Sequence, residues 1–167
     1  MITSLTNRVK KASFTIVELL VVMGITATLF SLTTIRLFTA QHQANLSAAV
    51  STFISDAKRQ QLQAIAGNTQ GQPAAQDYGI FFETNRYTLF RGLTYLPGDS
   101  YNYVVNLDNN ITLTPILFPQ AQAVFSKGSG EIAGYSPEAD VITFIDSVSG
   151  KNTTVRFNRL GVITDVN

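Results

Sequence analysis

The stretch from Phe14 to Phe38, FTIVELLVVMGITATLFSLTTIRLF, decides how the rest of the chain is read. Between Leu19 and Ile35 it holds seventeen consecutive residues without a charge. At ~1.5 Å per residue these make about 25 Å of helix, and adding Phe14–Val17 takes the run past the ~30 Å of a hydrocarbon core. Arg8, Lys10 and Lys11 stand just ahead, with no acid among residues 1–13. That charge bias orients the N-terminus toward the cytoplasm. The expectation is a single-pass helix in the cytoplasmic (inner) membrane, with the lipid bilayer as partner and the remainder of the chain outside.

Working outward, residues 41–66 contain neither proline nor glycine and are rich in Ala, Gln, Ser and Leu. Apolar residues recur at Leu46, Val50, Phe53 and Ala57, then with a one-residue slip at Leu62 and Ile65, which reads as a helical stripe. Gly67-Asn68 supplies a C-cap and Gly71-Gln72-Pro73 a break. One helix of ~50 residues and ~75–80 Å is predicted, apolar all round in its first half and on one face in its second. Beyond a polar linker, roughly Asn68–Gln76, the pattern turns to short β-rich runs: Tyr78–Glu83, Arg86–Arg91, Tyr101–Leu107, Ile111–Phe118, Val141–Asp146, Thr153–Asn158 and Val162–Thr164. Thr84-Asn85 reads as a tight hairpin turn, and Pro115 confines its strand to an edge or a bend. The fold class is therefore α+β: a long N-terminal helix packed, through its amphipathic half, on a C-terminal antiparallel β domain. The expected segments are 1–13, 14–38, 39–67 and 68–167.

Composition narrows the function. The 167 residues suit one domain plus an anchor, and charged residues make up only 14%, against about a quarter in ordinary soluble domains. The net charge is +1, yet three of the twelve basic residues lie in 1–13, leaving nine against eleven acids in the body. A slightly acidic body gives no general reason for nucleic-acid binding. Absence of cysteine excludes disulfides, thiol catalysis and cysteine metal sites. The one histidine, His42, reads as a solvated helix residue, and Asp99, Asp108, Glu138 and Asp140 lack the spacing of a calcium loop. No phosphate loop or nucleophile elbow is present. The reading is of a protein that is not an enzyme and has no cofactor or metal.

Glu18 is the informative residue. A carboxylate in an apolar segment costs about 2.5–3.5 kcal/mol on insertion scales and is normally functional; the plain alternative is that it snorkels to the headgroups or meets Lys10 and Lys11. Lys10-Lys11-Ala12-Ser13 followed by FTIVELL resembles the processing site of type IV prepilins and pseudopilins. The resemblance implies a leader peptide over 1–13, cut by a prepilin peptidase between Ser13 and Phe14, with N-methylation at Phe14 and Glu18 as fifth residue of the mature chain. Ser13 stands where the family usually has glycine. Cleavage would leave an ammonium at Phe14, about 6 Å along the helix from Glu18. An N-terminal cation opposes the helix dipole whereas a carboxylate there is favoured, and the amine of one subunit can meet the Glu18 of a neighbour, fixing axial register. A secretory signal peptide is the competitor, but the run is longer than an h-region, contains Glu18 and lacks a small-x-small site. An uncleaved anchor carrying a binding domain also fits the hydropathy.

The body resembles the H-type minor pseudopilins and FimT-like minor pilins (the GspH/FimT family), through Asp56-Ala57-Lys58-Arg59, the hairpin Tyr78–Arg91 and Phe157-Asn158-Arg159-Leu160-Gly161. In the last, Val155 and Phe157 share one strand face and Arg156 and Asn158 the other, and Gly161 supplies a positive φ for a return turn. The resemblance implies a pilin-like fold and a structural subunit of a type IV pilus or a type II secretion pseudopilus. Its partners would be other pilin or pseudopilin subunits, the prepilin peptidase and the membrane platform of the machinery. It also implies an alternative, a DNA-binding minor pilin of an uptake system, with Arg156 and Arg159 as DNA contacts and Lys151 and Arg91 nearby; a solvated strand face is preferred.

Overall fold

The computed structural model describes residues 15–71 and 73–167, with side chains 32–40 left aside. One helix, α1 (Ile16–Ile65), precedes eight strands: β1 (Tyr78–Glu83), β2 (Arg86–Arg91), β3 (Tyr103–Asn106), β4 (Ile111–Ile116), β5 (Gln122–Phe125), β6 (Val141–Asp146), β7 (Asn152–Phe157) and β8 (Ile163–Val166), with a 3-10 turn at Pro119–Ala121. The chain is α+β. It divides into two compact units, Met1–Phe38 and Thr39–Asn167.

In the first unit Thr15 stands before the helix, and its Oγ1 accepts from the backbone N–H of Glu18 at 3.2 Å, satisfying one of the free donors of the first turn. Thr26 and Thr28 turn their hydroxyls back to the helix carbonyls of Val22 and Ile25, so these polar groups are satisfied locally. The large apolar side chains of Ile16–Ile25 are exposed. Among the described residues no helix is long and apolar enough to cross a membrane. The expected span over 14–38 is thus not met within them: residue 14, and side chains 32–38 of that span, fall outside the description.

In the second unit the buried helix positions are Leu46, Val50, Phe53, Ala57, Gln60 and Ala64. The alternating spacing of four and three keeps one face toward the sheets without a slip. The predicted shift to Leu62 and Ile65 is corrected: both are exposed, at 63% and 45%. A polar residue, Gln60, and a small one, Ala64, hold the inward positions instead, which hid the continuation of the stripe. The helix closes as foreseen at Gly67 (φ +62°), where Gly67 N–H donates to Ala64 and Asn68 N–H to Gln63, the paired bonds of a left-handed C-cap.

The strands form two four-stranded antiparallel sheets, ordered β3-β2-β1-β5 and β4-β6-β7-β8. Glu83 pairs with Arg86 across Thr84-Asn85, the predicted two-residue hairpin. β4 is an edge strand whose register shifts between Leu113 and Ile116, as Pro115 demands. The strand β5 was not foreseen. Its Gln-Ala-Val-Phe is short and half weak β-formers, yet Ala123 and Phe125 are fully buried. Phe53 lies where helix and both sheets meet, its ring 5.4 Å from Tyr87 and 6.0 Å from Phe82 on one sheet, and 5.3 Å from Phe144 and 6.1 Å from Phe157 on the other.

Candidate functional site

The first candidate site is the head of α1. Glu18 is exposed in the first helical turn, with its own N–H held by Thr15. A carboxylate at this place is favoured by the helix dipole, so part of the reason for an acid is local. Ser13 and Phe14, the residues flanking the expected cut, lie outside the described residues.

The second candidate, the basic C-terminal patch, is less basic than its sequence. Arg156 lies on the solvent side of β7, between the buried Val155 and Phe157, as the alternation required. Its Nη1 donates to Asp140 Oδ1 at 2.7 Å, and the Asp140 carboxylate is only 3% exposed. Asp165 faces it across the β7–β8 ladder. Arg159 reaches Glu131 at 3.6 Å. The two further basic residues are elsewhere: Lys151 donates to Gln43, and Arg91 ends β2 on the other sheet. Both arginines named in the alternative DNA-contact reading are thus turned to carboxylates.

The Phe157–Gly161 segment makes a structural junction. Asn158 N–H donates to Val162, and Gly161 N–H to Asn158, with Gly161 at φ +75°. The Gln61 amide donates to the carbonyls of Leu160 at 2.7 Å and Gly130 at 3.1 Å. A Cβ on Gly161 would lie 2.5 Å from the Gly130 oxygen. The turn is shaped to dock on the helix end.

Three residues gain roles that the sequence concealed. Gln60, buried, donates through Nε2 to the carbonyls of Gly79 at 2.8 Å and Phe90 at 3.2 Å, tying α1 to neighbouring strands. Asp56 accepts from the Tyr87 hydroxyl at 2.8 Å and meets Arg59 at 3.2 Å; burial, and then this bond, push the Tyr87 phenol well up. His42 is corrected from a solvated residue to a half-buried one, its Nδ1 3.6 Å from Asp146 Oδ2. Asp146 is buried, and the Val148 N–H, seconded by the Ser149 hydroxyl, holds its carboxyl below the usual range. Each signal was an isolated polar residue at an inward period, invisible until the facing strand was known. Among the described residues no cluster of His, Cys, Asp or Glu could hold a metal ion. No family model, curated protein or solved structure matches the chain.

Proposed function

We propose that the chain is a pilin-type subunit, made with a leader over 1–13, held in the cytoplasmic membrane by its N-terminal helix and assembled through that helix into an extracytoplasmic filament of the type IV pilus or type II secretion kind. The observation that carries this reading is the Lys10-Lys11-Ala12-Ser13/Phe14 sequence with Glu18 four residues on. The exposed apolar side chains that surround Glu18 on α1 support it, since lipid or neighbouring helices would cover them. In this scheme the β domain faces the outside and acts by contact rather than catalysis. Its partners are other subunits, the prepilin peptidase and the membrane platform.

The mechanism follows from charge. Removing residues 1–13 leaves an ammonium at Phe14, and an apolar setting makes an unpaired ammonium and an unpaired Glu18 carboxylate both costly. Pairing them between subunits cancels both costs and admits only one axial offset. Mass spectrometry of the protein from its membrane should give a chain starting at methylated Phe14; a chain retaining residues 1–13 where the peptidase is active would refute the proposal. Glu18→Ala should insert normally and enter filaments poorly. Thr15→Ala, which removes the cap and keeps the charge, should assemble. Equal loss in both variants would reduce Glu18 to a helix-capping role.

A further inference from the structure

The lining of one groove on the β domain is basic and aromatic, although the body of the chain is slightly acidic. The groove has a volume of about 210 Å³ and lies between the late turns of α1, the end of β2 and the turn before β3. Arg59 and Arg91 line it with Tyr78, Tyr101 and Tyr103, and no carboxylate does. Arg91 is stacked 3.7 Å from the centre of the Tyr101 ring. The one hydrogen bond of its side chain among the described residues is a long one, Nη1 to the Gln70 carbonyl at 3.4 Å, and no carboxylate pairs with it there. The contact with the ring restricts the guanidinium and leaves N–H donors that are not spent on a carboxylate among the described residues, the kind of group that grips an oxyanion by two bonds. Arg59 is half-exposed and pairs with Asp56 one turn back at 3.2 Å, so its charge is shared between that carboxylate and the groove.

The aromatic side is equally set. The hydroxyls of Tyr78 and Tyr101 donate to the carbonyls of Asn68 and Gln70, which anchors these rings to the turn after α1. Tyr103, exposed on the edge strand β3, leaves its ring open at the rim. Gln60 spends its amide nitrogen on the carbonyls of Gly79 and Phe90, so the helix wall of the groove is fixed.

We infer that this groove binds a small planar anion, an oxyanion held by Arg91 with help from Arg59 and with its flat ring laid against the exposed rings of Tyr101 and Tyr103, of the chemistry of a nucleoside monophosphate. In a concave site Arg91, with no carboxylate beside it among the described residues, attracts an anion more strongly than it would in bulk water, and Arg59, shared with Asp56, adds less. The Tyr101 ring, already fixed in place, lowers the ordering cost of stacking. At about 210 Å³ the groove is smaller than a drug-sized pocket, so it takes the phosphate and one face of the base and leaves the sugar in solvent. The inference stands apart from the pilin reading and uses none of its residues.

The test is equilibrium dialysis of the full chain in detergent micelles, at low salt, against labelled adenosine monophosphate. Retention is expected at ligand concentrations of about 1 mM or below. Adenosine alone and inorganic phosphate alone should each bind about tenfold more weakly, since each lacks one half of the recognition. Arg91→Gln should weaken the nucleotide about tenfold or more. Arg59→Gln, on an exposed helix surface and so the safer variant for folding, should weaken it less, and Arg156→Gln on the other sheet should leave it unchanged. No retention, unchanged binding in Arg59→Gln and Arg91→Gln, or an equal loss in Arg156→Gln would overturn the inference.

Discussion

The two ends of α1 are both rich in apolar residues and meet opposite surroundings. Over Ile16–Ile25 the large apolar side chains are exposed, whereas from Leu46 to Ala64 the helix sinks one residue in every three or four into the core. The difference is one of pattern rather than composition. A stripe that repeats on one face specifies a partner within the chain, and a segment apolar on all sides specifies a surrounding medium or several neighbours. Under the proposed function, the first segment is for assembly and the second for folding.

Substitution at each end should separate those tasks. Phe53→Ala removes a fully buried ring from the junction of helix and both sheets and should cost about 3–5 kcal/mol in denaturant unfolding of the β domain. Leu20→Ala, on the exposed stretch, should change that unfolding by less than about 0.5 kcal/mol. Comparable losses from the two would break the division.

Gly161→Ala comes next in size. It loads a left-handed position with a side chain, at about 1–2 kcal/mol, and drives that carbon against the Gly130 oxygen and the Gln61 amide. The expected loss is above about 2 kcal/mol once overpacking is added. Gln61→Ala should recover part of it in the double variant, because one of the two clashing groups is then gone; strict additivity would mean that the turn does not dock there.

The legibility of the fold follows the same division between pattern and partner. The helix period as far as Ala57, the Gly67 cap, the Thr84-Asn85 hairpin and the bent edge strand around Pro115 are local consequences of their own residues, and each was readable. The β5 strand, the inward Gln60 and the His42–Asp146 contact depend on what lies opposite, which no single stretch encodes. Arg156 and Arg159 show the same limit at the candidate site. Their basic character is in the sequence, but Asp140 and Glu131, 16 and 28 positions earlier, are what face them. Glu18 was legible because its oddity is measured against its immediate neighbours. Gln60 offers a smaller test of this lesson. Gln60→Ala removes the two bonds from the helix to the carbonyls of Gly79 and Phe90 and empties a buried position, and should cost about 1–3 kcal/mol, while Leu62→Ala, two residues on in the predicted stripe, should cost little.

Acidification probes the helix's second segment most gently, through Asp146. Its folded-state carboxyl is held below the ordinary 3.8, first by the Val148 N–H, then by the Ser149 hydroxyl and His42, against the opposing effect of burial. A depressed folded value means that the unfolded chain takes up the proton more readily than the folded one. The group's contribution to stability is therefore complete above the unfolded value and fades as the pH falls through the folded one. Denaturant midpoints followed from about pH 6 to about pH 2 should decline most steeply below about pH 4, and Asp146→Asn should flatten that part of the curve while lowering the plateau. His42→Gln should act in the same direction and more weakly, since the backbone donor at Val148 and the Ser149 hydroxyl remain. A curve in Asp146→Asn as steep as the wild type's would move the acid sensitivity to other carboxylates, and the contact between the start of the second helical segment and β6 would then be one of packing alone.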